Sequence, residues 1–425
     1  MDRLLISGGQ PLNGTIPISG AKNSALKLMA ACLLTSEPLT LTNMPNLADT
    51  RFLSQLLASL GVEVYWPKGS SDCHLNAAEL TSTIAPYDQV RKMRASFNVL
   101  GPLLARVGHA TVSLPGGCAI GARPVDLHLQ AFEAMGADLL IEEGYVKAAA
   151  LRGLKGAHIV FPFPSVGATE HSMLAATLAK GTTIIENGAC EPEIADLADC
   201  LNMMGAKISG AGTSKITIEG VASLSGGQYP VMPDRIEAGT YAMAAAAAGG
   251  DVTLDGAPVE ALGAMIDVLR QSGVTVDADG DNKIRVRRNG AALKAVNVDT
   301  QPYPGFPTDL QAQFMALMTV ADGNTVIREN IFENRFMHAP ELSRLGARIS
   351  VRGKEAIVTG VPTLKGAPVM ATDLRASVSL VIAGLVASGE TEVNRIYHLD
   401  RGFERLEEKL IACGANIRRV GAEEA

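Results

Sequence analysis

The sequence has no apolar run long enough to cross a membrane. Its longest weakly polar stretches, Ala238 to Gly250 and Ala376 to Gly389, fall short of the roughly 18 to 20 apolar residues that a span needs, and consist mostly of Ala, Gly and Ser. They predict buried helices instead. Met1 to Gly9 carries no apolar segment behind a basic patch, so no secretory signal is expected and the cytoplasm is the expected compartment. The six cysteines, Cys32, Cys73, Cys118, Cys190, Cys200 and Cys413, show neither CxxC nor Cys/His spacing, which argues against a disulfide framework and against a zinc site. Positive charge is also in short supply. A net charge of −7 disfavours a nucleic-acid footprint over the whole surface, while leaving room for a local basic pocket that takes an anionic small molecule.

What is present describes a large folded protein. A length of 425 residues exceeds what one hydrophobic core serves and predicts two or three globular units. With 47% apolar and 19% charged residues, disorder is not expected.

An amphipathic helix ending in glycine and followed directly by a strand occurs six times: LASLGVEV at Gly61, FEAMGADL at Gly136, LNMMGAKI at Gly205, LRQSGVTV at Gly273, LSRLGARI at Gly346 and IACGANI at Gly414. These glycines are 75, 69, 68, 73 and 68 residues apart, close to one sixth of the chain. Ile194, Leu197, Leu201 and Met204 in the third copy, and Leu262, Met265, Ile266 and Leu269 in the fourth, follow the 3.6-residue period and predict one buried face per helix. An Ala-rich helix precedes each, ending before a β-rich run such as GTTIIEN, GDVTLDG, GNTVIREN or GETEVNR. The fold class is therefore α/β, built from repeated helix–strand units. Three per domain is the natural grouping, with a boundary near a predicted turn at Gly226-Gly227-Gln228-Tyr229-Pro230.

The Ala-rich helices start near Lys22, Arg94, Gly167, Arg235, Asp309 and Arg375. There SGAKNS, VRKMRAS, SVGATE, PDRIEAGT, PTDLQ and TDLRAS combine a cap or glycine with a charge where four backbone N–H groups lack intrahelical partners. A cation at a helix start opposes the macrodipole, so its repeated appearance asks for a reason: anion sites, which the register of the six starts favours, or surface charges flanking caps, the ordinary reading of any single one. Two loop groups stand out besides. Leu114 to Pro124 (LPGGCAIGARP) places one thiol and one guanidinium in bare, glycine-rich backbone, in the manner of an active-site lid. Two readings of Cys118 stand at this point: a thiol placed for chemistry beside Arg123, or a small hydrophobe in a tight turn. Glu333-Asn334-Arg335 and Asp400-Arg401-Gly402 carry Arg forks suited to phosphate or carboxylate, unless Glu333 and Asp400 merely pair with them.

Along essentially its whole length the chain resembles the bacterial UDP-N-acetylglucosamine 1-carboxyvinyltransferase family. The motifs are ISGAKNSAL (18 to 26), MRAS (93 to 96), LPGGCAIGARPVDLH (114 to 128), LKGAHIV (154 to 160), SVGAT (165 to 169), FPTDLQAQF (306 to 314), ENRFMH (333 to 338), ATDLRAS (371 to 377) and DRGFER (400 to 405). The resemblance implies a two-domain inside-out α/β barrel of six repeats, three per domain. One domain would be 22–230, the other 1–21 plus 231–425, with the active site in the cleft between them. The sister family that makes enolpyruvylshikimate phosphate shares the repeats and lacks the Gly-Gly-Cys lid.

The implied reaction moves the enolpyruvyl group of phosphoenolpyruvate to the 3'-hydroxyl of UDP-N-acetylglucosamine, the first committed step of peptidoglycan synthesis; the alternatives are enolpyruvyl transfer to shikimate 3-phosphate, which the Cys118 lid and SVGAT disfavour, and a non-catalytic UDP-sugar-binding paralogue, which would need neither Cys118 nor Asp309. By the resemblance, Lys22, Asn23, Arg123 and Arg401 hold phosphoenolpyruvate. Arg94, the segment Arg123, Pro124, Val125, Asp126 and Leu127, then Ser165, Val166, Gly167, Asp309 and Ile331 line the UDP-sugar site. Arg335, Asp373 and Arg375 support the phosphate region. Cys118 donates a proton to C3 and can add to C2, while Asp309 accepts or positions the hydroxyl proton. No cofactor and no metal is called for, because fixed cations neutralise the leaving phosphate. The partners are small molecules alone, with no nucleic acid, no membrane span and no obligatory protein partner. One departure stands out. Better-known members often carry a basic residue just before SVGAT, where this chain has Phe161-Pro162-Phe163-Pro164.

Overall fold

The computed structural model describes residues 2–116 and 124–421. Its helices, in chain order, are α1 (Lys22–Ala31), α2 (Ala48–Ser59), α3 (Tyr87–Val90), α4 (Leu100–Val107), α5 (Asp126–Ala134), α6 (Val166–Ala176), α7 (Pro192–Met203), α8 (Arg235–Ala248), α9 (Gly263–Gln271), α10 (Gln311–Met318), α11 (Ala339–Arg344), α12 (Leu374–Val386) and α13 (Leu406–Ala412). The Ala-rich set, α1, α4, α6, α8, α10 and α12, is the more deeply buried; in α8 every residue from Arg235 to Ala247 is buried. Small side chains permit that close packing. Two of these helices are entered through a tighter 3-10 turn, Arg94–Val99 before α4 and Thr308–Leu310 before α10, so Arg94 and Asp309 sit on i→i+3 bonded backbone rather than on the α-helix itself.

The second set, α2, α5, α7, α9, α11 and α13, ends identically six times. Gly61, Gly136, Gly205, Gly273, Gly346 and Gly414 all adopt φ between 85° and 105°. In each, the glycine N–H and the next N–H reach back to carbonyls of the last turn, as in Gly136 N–H to Glu133 O (2.9 Å) and Ala137 N–H to Phe132 O (2.9 Å). This is the Schellman arrangement, and the left-handed φ it needs is why glycine recurs at each position. The two positions where an accompanying apolar contact forms, Phe132 and Ala137, are both buried in the same core.

The strands form six four-stranded sheets among the described residues, all with one pairing pattern, a parallel outer pair followed by two antiparallel ones, although in three of them one strand comes from a distant part of the chain. In the third, His158–Val160 runs parallel to Thr182–Glu186, which pairs antiparallel with Lys215–Glu219, and that strand pairs antiparallel with Lys207–Ser209. The segment predicted as a turn at Gly226 to Pro230 is instead an outer strand, Gly227–Pro230, parallel to Leu39–Thr42. Local sequence reads as a turn because Gly and Pro dominate it; the pairing is decided by a strand some 190 residues earlier (Tyr229 opposite Leu41).

The chain divides into two compact units. The first unit holds residues 20–116 and 124–232, the second 2–19 and 233–421, with three of the sheets in each. Each has its own apolar core. The amino-terminal strands belong to the second unit. Arg3–Ser7 lies between Glu390–Asn394 and Asn416–Val420, and Leu12–Pro17 runs parallel to Gly250–Asp255.

Candidate active site

In the first unit, Lys22 opens α1 and its ammonium meets the Asp49 carboxylate at 3.3 Å. Asp49 stands in the first turn of α2 and is 5% exposed. A cation at a helix start is disfavoured by the macrodipole, and the neighbouring carboxylate offsets that cost. Asn23 follows Lys22 on the same turn. Further along α1, Ser24 Oγ and Tyr229 Oη both donate to Asp196, and Lys27 pairs with the buried Glu170. Burial pushes the Asp196 carboxyl up to about 6, with Ser24, Tyr229 and a backbone N–H acting in the opposite sense.

Arg94 donates through Nη2 to the Pro124 carbonyl at 3.2 Å, tying the turn before α4 to the segment Pro124, Val125, Asp126 and Leu127 at the start of α5. Ser165 caps α6, its Oγ accepting from Ala168 N–H and its carbonyl from Thr169 N–H. Val166 and Gly167 form the first positions of that helix. Phe163, between Pro162 and Pro164, is 59% exposed and supplies no charge to this terminus. Cys118 and Arg123 lie outside the described residues.

In the second unit, Asp309 is gripped from both sides: Arg335 Nη2 donates to Oδ1 at 2.7 Å and Arg375 Nη2 to Oδ2 at 2.9 Å. Both guanidinium groups are almost wholly buried, while the carboxylate is 26% exposed. Bonds of this kind, with both partners ionised, are roughly twice as strong as neutral ones. Arg335 thus pairs with Asp309 rather than with Glu333. Asp373 caps α12 by accepting from the N–H groups of Arg375 (2.8 Å) and Ala376 (3.1 Å). Ile331 N–H donates to the buried Glu329, whose other oxygen accepts from Thr308 beside Asp309. Arg401 ends a 3-10 turn, Ile396–Arg401, next to His398. Burial lowers the His398 pKa, Arg401 and Arg395 add to that, and Asp373 opposes it. Asp400 is engaged by Arg419.

Sequence reasoning thus found the cations at the helix starts and missed buried carboxylates and imidazoles near them in each unit. Asp49, Glu329, His128, His171 and His338 were not among the predicted residues; His128 and His338 lie inside the PVDLH and ENRFMH motifs. Among the described residues no group of three or more His, Cys, Asp or Glu side chains could hold a metal ion, and no helix is long and apolar enough to cross a membrane.

Two repeat-built units that present cations, caps and bare backbone N–H groups together at helix starts define a mixed α/β protein of the enolpyruvyl transferase kind. The chain belongs to the EPSP synthase (3-phosphoshikimate 1-carboxyvinyltransferase) family, whose sequence profile matches residues 6–410. It is 78% identical over 425 residues, 100% of both chains, to the UDP-N-acetylglucosamine 1-carboxyvinyltransferase of Hyphomonas neptunium. It is 67% identical over 422 residues to the enzyme of that name from Caulobacter vibrioides, covering 99% of this chain and 98% of the other. Among solved structures, the enolpyruvyl transferase NikO from Streptomyces tendae superimposes with a TM-score of 0.89 at 28% identity, covering 99% of each chain. EPSP synthase from Acinetobacter baumannii shares the fold at 20% identity, TM-score 0.75, covering 99% of this chain and 100% of that one.

Proposed function

We propose that this chain is a UDP-N-acetylglucosamine 1-carboxyvinyltransferase, moving the enolpyruvyl group of phosphoenolpyruvate to the sugar 3'-hydroxyl with release of phosphate. The observation that carries this is full-length identity of 78% to an enzyme of that name. Transfer to shikimate 3-phosphate is the other reading of the family profile. Its representatives stand at 20% identity, against 61% to 78% for the UDP-sugar enzymes.

The chemistry is addition followed by elimination. The 3'-oxygen bonds to C2 of phosphoenolpyruvate as C3 gains a proton and the hydroxyl proton passes to a base. The C2–O bond to phosphate then breaks, and the proton lost from C3 restores the double bond. Cys118 supplies the proton to C3, and Asp309 accepts or orients the hydroxyl proton. The Arg335 and Arg375 bonds to Asp309 support this role, because they fix the carboxylate in one orientation. Lys22, Asn23, Arg123 and Arg401 hold phosphoenolpyruvate. Arg94, Arg123 to Leu127, Ser165 to Gly167 and Ile331 hold the nucleotide sugar, and Asp373 and Arg375 support the phosphate region. The six like-paired sheets, three in each unit, support reading the fold as an inside-out α/β barrel with three repeats per domain. The reaction is read as cytoplasmic, and it commits its substrates to peptidoglycan and so to cell shape and division.

The test is phosphate release from phosphoenolpyruvate by the purified chain, with UDP-N-acetylglucosamine or shikimate 3-phosphate as acceptor and Asp309→Ala as control. Release with the UDP-sugar alone, lost in the control, is expected. Release with shikimate 3-phosphate alone overturns the assignment.

A further inference from the structure

Two buried histidines of the first unit meet behind the Ser165–Gly167 turn. His171 lies within α6 and is 0% exposed. Its Nε2 accepts the Gly101 backbone N–H at 2.7 Å, so its own proton sits on Nδ1. That Nδ1 lies 2.9 Å from the Nδ1 of His128 in the first turn of α5. Two ring nitrogens at this distance share a single hydrogen, which His171 supplies. His128 therefore accepts at Nδ1 and carries its proton on Nε2. Protonating His128 at Nδ1 would force two hydrogens into the same gap, so the arrangement also holds His128 neutral.

The surroundings fix this geometry. Phe97 and Phe132 meet the His171 ring edge-on at 5.7 and 4.8 Å. Gly101 approaches so closely that an added Cβ would fall 2.6 Å from His171 Cδ2, and that approach is what delivers its N–H. The charged group facing His171 from α1 is Lys27, which is paired with Glu170 of α6. Burial above all holds the His171 pKa well below its usual value, and the Lys27 ammonium acts in the same sense. The opposite edge of His128 faces the start of α6: a Cβ at Gly167 would lie 3.3 Å from its Cε1 and 3.4 Å from its Nε2.

We propose that His171 is a positioning residue whose single hydrogen bond locks His128 as a neutral Nε2–H donor at the start of α6, directed at the anionic portion of the nucleotide sugar. This rests on the UDP-sugar reading above. Without the lock, His128 can place its proton on either nitrogen or take up a second one, and a donor needed at one atom is then present only part of the time.

The chain has 7 histidines, few enough for selective ¹⁵N-histidine labelling and long-range ¹H–¹⁵N correlation on the full-length protein. The expected spectrum shows His171 as the Nδ1–H tautomer and His128 as the Nε2–H tautomer, both unchanged from pH 6 to 8. A His128 that titrates in that range, or carries its proton on Nδ1, overturns the proposal. In kinetics, His171→Leu should raise KM for UDP-N-acetylglucosamine about three- to tenfold at pH 8, as for loss of one hydrogen bond, and the excess should shrink as pH falls and His128 protonates. His171→Gln keeps one acceptor and one donor and should recover most of the wild-type KM. The wild-type KM should be flat over the range, and kcat at saturating UDP-sugar should change less than twofold. A folded His171→Leu variant with a flat, wild-type KM overturns the proposal, as does a loss confined to kcat. Failure of the wild type to release phosphate with the UDP-sugar would instead fault the proposed function, leaving the spectra to decide the tautomers.

Discussion

The double grip on Asp309 lends itself to a double-mutant cycle. Arg335 and Arg375 each donate one charge-assisted hydrogen bond to it, at 2.7 and 2.9 Å, from guanidinium groups that are 5% and 7% exposed. Such bonds contribute about 1.5 to 3 kcal/mol each, so Arg375→Met, which keeps length and removes charge, should cost about 2 kcal/mol. Asp309→Asn leaves two buried guanidinium groups facing an amide that can satisfy only one of them. Breaking a buried pair costs about 3 to 5 kcal/mol, and the partial exposure of Asp309 lets water recover some of this, giving about 3 kcal/mol. The double variant should cost clearly less than the sum, with a coupling of about 1 to 2 kcal/mol. Urea unfolding followed by far-UV circular dichroism measures this; Trp66, the sole tryptophan, reports from the other unit. Turnover should be coupled in the same way, since with Asp309 gone Arg375 has no carboxylate left to orient. Losses that add to within about 0.5 kcal/mol in stability and in turnover alike would refute the reasoning.

Four other outcomes are expected. Gly136→Ala should cost about 1 kcal/mol from its left-handed φ alone, whereas Gly61→Ala, whose Cβ would fall 2.5 Å from Thr81 N, should cost about 2 kcal/mol more; equal shifts in urea midpoint would contradict this. His338 is buried and its pKa is pushed down to about 4, chiefly by burial, so the stability it contributes is whole above pH 6.5 and is lost as pH falls toward 4. Relative to a non-titrating His338→Gln variant, the wild type should lose about 3 kcal/mol across that window, and parallel stability curves would count against it. An epoxide of the fosfomycin type should alkylate Cys118, detected as an adduct on its peptide, and Cys118→Asp should escape the adduct while keeping some turnover; an unmodified peptide or a dead variant would remove the proton-donor role. Phe163→Lys should lower KM for the UDP-sugar severalfold at low ionic strength and lose that advantage as salt screens the added charge; a KM indifferent to both changes would show that the residue does not face the nucleotide.

The repeat was legible because each copy needs a left-handed residue at the same place, and glycine is the cheapest residue there. Helix faces were legible for a similar reason: Ile194, Leu197, Leu201 and Met204 recur at the helical period and all four are fully buried. What lay beyond the sequence was pairing at a distance. Gly226 to Pro230 has turn-like composition, yet becomes a strand because Leu39–Thr42 offers it a free edge. The site divides along the same line. Lys22, Arg94, Asp309 and Arg375 announce themselves as charges at helix starts, while Asp49 and Glu329 look like ordinary acidic residues until the fold sets them against Lys22 and Thr308. The tautomer of His128 was still less accessible, since it depends on an N–H from Gly101 and a ring from α6.

The place of Arg3–Ser7 inside the last sheet bears on how the chain is made. Its Arg3 side chain bonds to Glu392, a partner 389 residues further along, and at about 5 to 20 residues per second the ribosome delivers that partner roughly 20 to 80 seconds later. Every strand of the first unit has emerged long before then, so that unit can be complete on the nascent chain. The opening strand must wait as an unpaired edge until then, and its sheet closes only after Asn416–Val420 has followed. Its short length, five residues, and the charge of Arg3 at its start limit what else it can pair with in the meantime.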